Sequence, residues 1–535
     1  MEKCGDDVLL EVTKFSNWRT ANTLTRTCRR FYGLSNNPQT ACRFWPELLL
    51  LNKDRPLGDV FNHVLIDELH KRKIPKHVQI SDCKTWIASP NSLLRYLATK
   101  LELESLELHL EDMKGDGLDV KWIKELIFGG LFMARGALQK MKLKEIIWLG
   151  WGTSQLPSAL AENPNIVKVW SDVTFWPDTS LLAVQSKTES LITTKDTANE
   201  MLNRQHKQNI AVGVWLNLCD LDIVYDSSVF DNPINIDTLP VFLPKLKSFS
   251  CSQKIIAPLA QTWGVQMSHQ LTKLSLSTAV HHNVWHQRMT YQECDRHLIC
   301  TSSIHGQNYS LRDKDLHLAL IQLQCLEELS LHNHWRLQCQ FLPLVVLNNQ
   351  NTLRTLSLKG CLINDLTLHQ SMRHTTKFKK LKVLQVDSCL RLEFALPELL
   401  QNARTGWGPQ LTDLSLSHNP FISSLSFLEL FAAPTPFHSL IDLALTPFFR
   451  DIDDDEKLLP SKLPHIRQVK FCHCLCFNEL RHVQKWTEPL GASNVKIPTK
   501  KNQDNLDYWP CERRDWASWR VLLKSALIAA EIDSL

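Results

Sequence analysis

The chain has 535 residues, is 44% apolar and 22% charged, carries a formal charge of +4 and contains only 17 glycines. Such a chain buries a sizeable core, and nothing in it asks for nucleic acid, an anionic membrane or a glycine-rich phosphate cradle. Its 16 cysteines are too dilute and scattered for a secreted disulfide scaffold. No basic segment precedes an apolar one at the N-terminus, and no apolar run approaches the roughly eighteen residues that cross a bilayer, so free thiols in the cytoplasm or nucleus are expected.

Two short helices are predicted first. Leu9, Val12 and Phe15 fall at i, i+3 and i+6, and Leu24, Cys28 and Phe31 at i, i+4 and i+7, each set along one helical face. Asp6 and Asp7 suit the start of the first helix; Gly33, Asn36, Asn37 and Pro38 end the second. Residues 1–45 form this module. Residues 46–80, with four consecutive leucines from Leu48, are expected as a helical junction.

Residues 81–480 are read as a repeat array, irregular before about 240 and interrupted by an insertion at about 279–315. The pattern L-x-x-L-x-L begins at Leu271, Leu326, Leu353, Leu381, Leu411, Leu440 and, with isoleucine, at Ile466. From Leu326 onward the starts are 27, 28, 30, 29 and 26 residues apart. Weaker copies begin at Leu103, Leu143 and Leu246. The second and third apolar residues are two apart, so both point to one side of a strand. Such a strand buries its apolar side only by stacking on its neighbours, and a period of this length belongs to leucine-rich repeats. The expected architecture is α/β: a solenoid shaped as a horseshoe, with parallel strands inside and helices outside.

The strand positions between the leucines then line the concave face and are the expected target-binding residues. They are Glu328, Ser330 and His332; Thr355, Ser357 and Lys359; Val383, Gln385 and Asp387; Asp413, Ser415 and Ser417; Asp442, with Ala444 and Thr446; and Gln468 and Lys470.

Eight residues after the pattern starts stand Cys361, Cys389, Asn419 and Cys474. His334 and Phe448 occupy the same offset in two other copies and interrupt the column. A Cys or Asn there can hydrogen-bond backbone where the strand turns outward, which is a structural task; catalysis would need a single activated nucleophile.

"LSLKGCLIND", from Leu356 to Asp365, resembles the cysteine-containing leucine-rich repeats common in F-box proteins, "LxxLxLxxCxxITD". "LTRTCRRFYGL" likewise resembles the second half of an F-box, "L-x-x-V-C-R-R-F-x-x-L", through Leu24, Cys28, Arg29, Arg30, Phe31 and Leu34. The first half departs from that pattern: its Leu-Pro pair is absent, and Phe15 replaces a leucine. The resemblance implies that Leu9, Leu10, Val12, Phe15, Leu24, Cys28 and Phe31 bind a Skp-type adaptor and, through it, a cullin. The chain would then be the substrate-recognition subunit of an SCF-type ubiquitin ligase. The other reading is a repeat scaffold with no ubiquitin role, whose N-terminal helices are an end cap.

Between Leu271 and Leu326 no strand pattern lies midway. Cys294, His297, Cys300 and His305 stand there at spacings that could close on zinc, although no familiar zinc module has this order. The plainer reading is a degenerate repeat with a polar outer loop. "CHCLC" from Cys472 and the acidic run from Asp451 are read as structural and solvated, respectively. The polar stretch from Thr194 to Gln208 reads as an irregular repeat or exposed helix, and residues 481–535 as a C-terminal cap and tail. No nucleophile–base order, Walker loop or dinucleotide fingerprint is present, so the expectation is a binding protein with no cofactor and no metal, neither an enzyme nor a partner of nucleic acid or membrane.

Overall fold

The computed structural model describes residues 233–252, 255–277, 311–334, 336–373, 380–389 and 391–417. It also describes shorter stretches at 47–50, 77–80, 105–110, 144–150, 165–171, 187–194, 216–224, 424–431, 437–445, 463–471 and 494–496, and the single residues Ala198, Asn419 and Ile422. The expectations for residues 6–37, for the His/Cys-rich stretch before residue 311 and for "CHCLC" after Cys472 lie outside the described residues. Two units divide the chain, one formed by Met1–Asp226 with Val241–Leu246, the other by Ser227–Pro240 with Lys247–Leu535.

In the first unit the strands are β1 (Glu47–Leu50), β2 (His77–Ile80), β3 (Ser105–Leu110), β4 (Glu145–Gly150), β5 (Lys168–Ser171), β6 (Ser190–Thr194) and β7 (Asp220–Val224). Each pairs in parallel with the next in chain order. The register places Ile146, Val169, Leu191 and Leu221 in one row across neighbouring strands, and all four are buried. One expectation is corrected here. Residues 46–80 are not simply a helical junction, because β1 and β2 stand at its two ends. The polar stretch from Thr194 starts on the last residue of β6, and Ala198 is helical and buried.

In the second unit the strands are β8 (Ser248–Cys251), β9 (Lys273–Ser277), β10 (Glu328–His332), β11 (Thr355–Lys359), β12 (Val383–Gln385), β13 (Asp413–Leu416), β14 (Asp442–Leu445), β15 (Gln468–Phe471) and β16 (Asn494–Lys496). They too pair in parallel and in order. Helices return the chain between strands: α1 (Gln261–Met267), α2 (Asp313–Leu320), α3 (Leu342–Asn348), α4 (Asp365–Met372), α5 (Pro397–Asn402) and α6 (Ser424–Phe431). Parallel strands stacked in chain order and joined through helices are the leucine-rich-repeat arrangement.

The core is the stacked pattern itself. Phe249, Leu274, Leu329, Leu356, Leu384, Leu414, Leu443 and Val469 form one continuous buried row. Leu271, Leu326, Leu353, Leu381, Leu411, Leu440 and Ile466, the first residues of the pattern, are buried as well. Removing each such side chain from water is worth about 1.5–3 kcal/mol before ordering costs.

The pattern from Leu271 to Leu326 spans one repeat, not two. β9 pairs directly with β10, from Lys273 opposite Glu328 to Ser277 opposite His332, so the interval is an excursion rather than a degenerate repeat. At the C-terminal end, β16 extends the ladder past residue 480, into what the sequence suggested was only a cap and tail. The longest spacing from Leu326 onward, Leu381 to Leu411, is taken up after α5 by a π turn at Ala403–Trp407 and a 3-10 turn at Gly408–Gln410. Trp407 is buried there, its ring centroid 6.1 Å from that of Phe437.

Polar devices tie the repeats together in both directions. Reaching backward, His334 Nε2 meets the Leu276 carbonyl at 3.2 Å and Cys361 Sγ meets that of Leu331 at 3.3 Å. Cys389 Sγ donates to the Leu358 carbonyl at 3.0 Å and Asn419 Nδ2 to that of Val386 at 2.6 Å. The column is therefore unbroken at His334, where the sequence suggested an interruption; Phe448 and Cys474 lie outside the described residues. Reaching forward, the first residue of α4, Asp365, accepts from four amides of the next repeat: Glu393 and Phe394 at 3.0 Å each, Ala395 at 2.6 Å and Leu396 at 3.2 Å. Asp313, first in α2, does the same for Gln338 at 2.8 Å and for Gln340. Just beyond the strands, Asn333, Gly360 and Ser388 occupy equivalent places and all have left-handed backbone, with φ of 62°, 64° and 55°.

Candidate functional site

The polar positions of β9 to β14 share the sheet face opposite the buried rows. On this face His332 Nε2 lies 2.9 Å from Ser357 Oγ, which donates to Gln385 Oε1 at 3.0 Å. Because the one hydroxyl proton goes to Gln385, His332 must donate from a protonated Nε2. The chain of bonds spans β10, β11 and β12. A second begins at Lys359, whose Nζ stands 3.8 Å from Asp387 Oδ2. Asp387 Oδ1 accepts from Ser415 Oγ at 2.6 Å and from the Ser417 amide at 2.9 Å. Lys273 and Glu328 pair at 2.9 Å, and Asp413 Oδ2 accepts from Thr412 Oγ1 at 2.6 Å.

Most of the residues read as target-binding do lie half-buried on this face: Glu328, Ser330, His332, Thr355, Lys359, Val383, Gln385, Asp387, Asp413, Ser415, Asp442, Ala444 and Gln468. Two are corrected. Ser357 is only 2% exposed because His332 and Gln385 close over it, and Ser417, at 5%, follows the last residue of β13. Both support the face rather than present themselves on it. Lys470 sits in β15 opposite Ala444, without a described side chain, and Thr446 lies outside the described residues. So do all the residues read as adaptor-binding: Leu9, Leu10, Val12, Phe15, Leu24, Cys28 and Phe31. The face also includes Lys273, Ser275 and Ser277 of β9, which the pattern beginning at Leu271 would have named had the count not started at Leu326.

Two buried thiols, Cys339 and Cys389, are unactivated. A hydrogen bond with Cys361, then burial, raise the Cys339 thiol well above its usual range, and burial does so for Cys389. A nucleophilic cysteine needs the opposite shift. Among the described residues no group of three or more His, Cys, Asp or Glu is placed to hold a metal ion, and no helix is long and apolar enough to cross a membrane.

Both histidines at the end of β10 are held neutral. Burial lowers His334 to about 4, and burial together with the Lys359 charge lowers His332 to about 4. An unfolded histidine titrates near 6.5, so between these values the unfolded chain binds more protons than the folded one. The stability these groups contribute is intact above pH 6.5 and declines as pH falls toward 4. Thermal melting is expected to drop between pH 7 and pH 5, by at most about 1.4 kcal/mol per unit for each histidine. His334→Gln, which keeps a donor near the Leu276 carbonyl, is expected to flatten that decline; an unchanged slope would show that His334 does not set it.

No protein-family model matches the chain, and no curated protein matches it. Among solved structures it is similar to a chain in the crystal structure of the Rad7 and Elc1 complex from yeast. The two are 16% identical, and the match covers 61% of this chain and 84% of that one with a TM-score of 0.25. The fold assignment rests on the strand register, not on this likeness.

Proposed function

We propose that the chain is a substrate-recognition subunit of a cullin–RING ubiquitin ligase. The face of β9 to β14 holds a target protein, and the N-terminal helices hold a Skp-type adaptor. The observation that carries the first half is the polar face, whose side chains are fixed by bonds running from His332 to Gln385 and from Lys359 to Ser415. Side chains already ordered lose less entropy when a partner docks. The second half is supported by the F-box resemblance of Leu24, Cys28, Arg29, Arg30, Phe31 and Leu34. The role is binding rather than catalysis, in cytoplasm or nucleus, without a cofactor.

The test is capture of a Skp-type adaptor by the full chain. Leu24→Asp with Phe31→Asp removes two apolar anchors worth about 1.5–3 kcal/mol each, so adaptor capture is expected to fall by about a hundredfold or more. Undiminished capture by the double variant sinks the ligase reading. A scaffold with no ubiquitin role is the second reading. It is favoured by the position of β1, which begins at Glu47, soon after the helix-patterned stretch, where a stack of repeats needs a cap. On that reading the unsubstituted chain captures no adaptor, and the double variant melts earlier.

A further inference from the structure

The bonds that join β10, β11 and β12 run in one direction. Ser357 Oγ has a single proton, and it goes to Gln385 Oε1, so the bond with His332 takes its proton from Nε2 of the ring. Burial, with the charge of Lys359, lowers the His332 pKa to about 4, so near neutral pH the ring has no second N–H. Nδ1 is therefore a bare acceptor. At the other end Gln385 turns its oxygen to Ser357 and keeps the protons of Nε2 for other partners. Neither His332 Nδ1 nor Gln385 Nε2 has a hydrogen-bond partner among the described residues, and neither is shut away from solvent as His334 Nδ1 is. The three residues thus end on β10 in an open acceptor and on β12 in an open donor.

The surroundings are electrically quiet. On the outward positions of β9 to β12 the charged side chains are paired, Lys273 with Glu328 and Lys359 with Asp387 just beyond β12. The remaining outward positions are Ser275, Ser277, Ser330, Thr355 and Val383, all half-buried and uncharged. Ser357 itself is 2% exposed and cannot meet a docked chain directly; it acts through the two residues that close over it.

We infer that Ser357 is a positioning residue that sets the hydrogen-bonding polarity of the target face, matching it to an extended, uncharged target segment whose backbone donates an N–H to His332 Nδ1 and accepts from Gln385 Nε2 through a carbonyl. A carboxylate would set a second acceptor against Nδ1, and a cation would lie where the neighbouring charges are already paired. This rests on the reading of the face as a target-binding surface and names the chemistry that the surface reads.

Two substitutions in the full chain test it. Ser357→Ala removes the shared hydroxyl. Gln385→Leu removes the acceptor of its proton, so the hydroxyl turns round, donates to His332 Nε2 and moves the ring proton to Nδ1. Nitrogen NMR on isotope-labelled histidine, near neutral pH, distinguishes the two tautomers, and His332→Gln assigns the signal. The expected result is Nε2–H in the unsubstituted chain, a mixture in Ser357→Ala and Nδ1–H in Gln385→Leu. Loss of packing alone would not reverse a tautomer. An Nδ1–H ring in the unsubstituted chain, or Nε2–H retained in both variants, overturns the inference.

A fluorescein-labelled peptide, selected on the unsubstituted chain from a phage-displayed random library, supplies the binding probe. It is expected to bind Gln385→Leu about tenfold more weakly, because a donor then faces a donor, and to be little affected by salt. A library that yields no peptide, or a peptide indifferent to Gln385→Leu, also overturns the inference. The Skp-type adaptor is captured in parallel. Capture together with an indifferent peptide removes this inference alone, whereas a sensitive peptide without capture removes the ligase reading and leaves the polarity standing.

Discussion

Gly264→Ala is expected to destabilise the second unit by about 2 kcal/mol, although the same change in an exposed helix interior gains about 1 kcal/mol. The reason is the approach of α1 to α2. A Cβ at Gly264 would lie 2.1 Å from the carbonyl oxygen of Ala319, 2.8 Å from its carbonyl carbon and 2.9 Å from its Cα. All three atoms are backbone, so no side chain can swing away and the helices themselves have to separate. Leu259 and Asp315 are joined by a backbone hydrogen bond of 2.8 Å on the same boundary, so separation also strains that bond. Urea unfolding followed with amide exchange in α1 and α2 measures the effect. Gln266→Ala, at an exposed position of the same helix, is the matched control and is expected to be neutral or slightly stabilising. Equal behaviour of the two variants would mean that the helices are not in close contact.

Asp365→Ala is expected to cost about 3 kcal/mol, the larger of the two effects. One carboxylate accepts from four consecutive amides, Glu393 to Leu396, in the following repeat. Bonds to a charged acceptor are worth about 1.5–3 kcal/mol each, but they do not add when they share one group, and Ala395 is exposed enough for water to replace part of what is lost. Phe394, in the middle of this turn, has φ of 54°, a conformation that a bulky residue holds only when its surroundings insist. Asp365→Asn keeps one acceptor oxygen and is expected to recover about half of the loss. The measurement is the melting midpoint together with exchange at amides 393–396, which should accelerate in the alanine variant before any other part of the chain.

The second unit was legible because its repeats are nearly regular. Leucine, or in a few places Val, Ile or Phe, fills all three pattern places from Leu326 at intervals of 26 to 30 residues, and the strands begin two residues after each start. The first unit was less so, for physical reasons visible in its core. On β6 the first and third pattern places are Thr188 and Thr193, both buried, so a search for leucine passes over them. On β5 the third place is Ser171, after Ile166 and Val169. β7 is different: Leu218, Leu221 and Ile223 satisfy the pattern and are buried, yet their neighbours at irregular distance supply no period to draw attention to them. The exposed face was legible in its membership but not in its contacts. Nothing in the spacing says that His332 leans across to Ser357, or that Asp365 reaches into the next repeat, since both depend on how far one strand or turn lies from its neighbour.

The unbroken pairing of β9 with β10 carries one further implication. Ser277 and His332 face each other although the intervening sequence is far longer than any other link between neighbouring strands of this unit. Closing a longer link costs little, about 0.6 kcal/mol for each doubling of its length. The molecule therefore has a seam where chain length is nearly free to vary while both flanking registers stay fixed. At such a seam a reporter domain can be spliced in, and inheritance can add novelty, without the rest of the ladder having to be solved again.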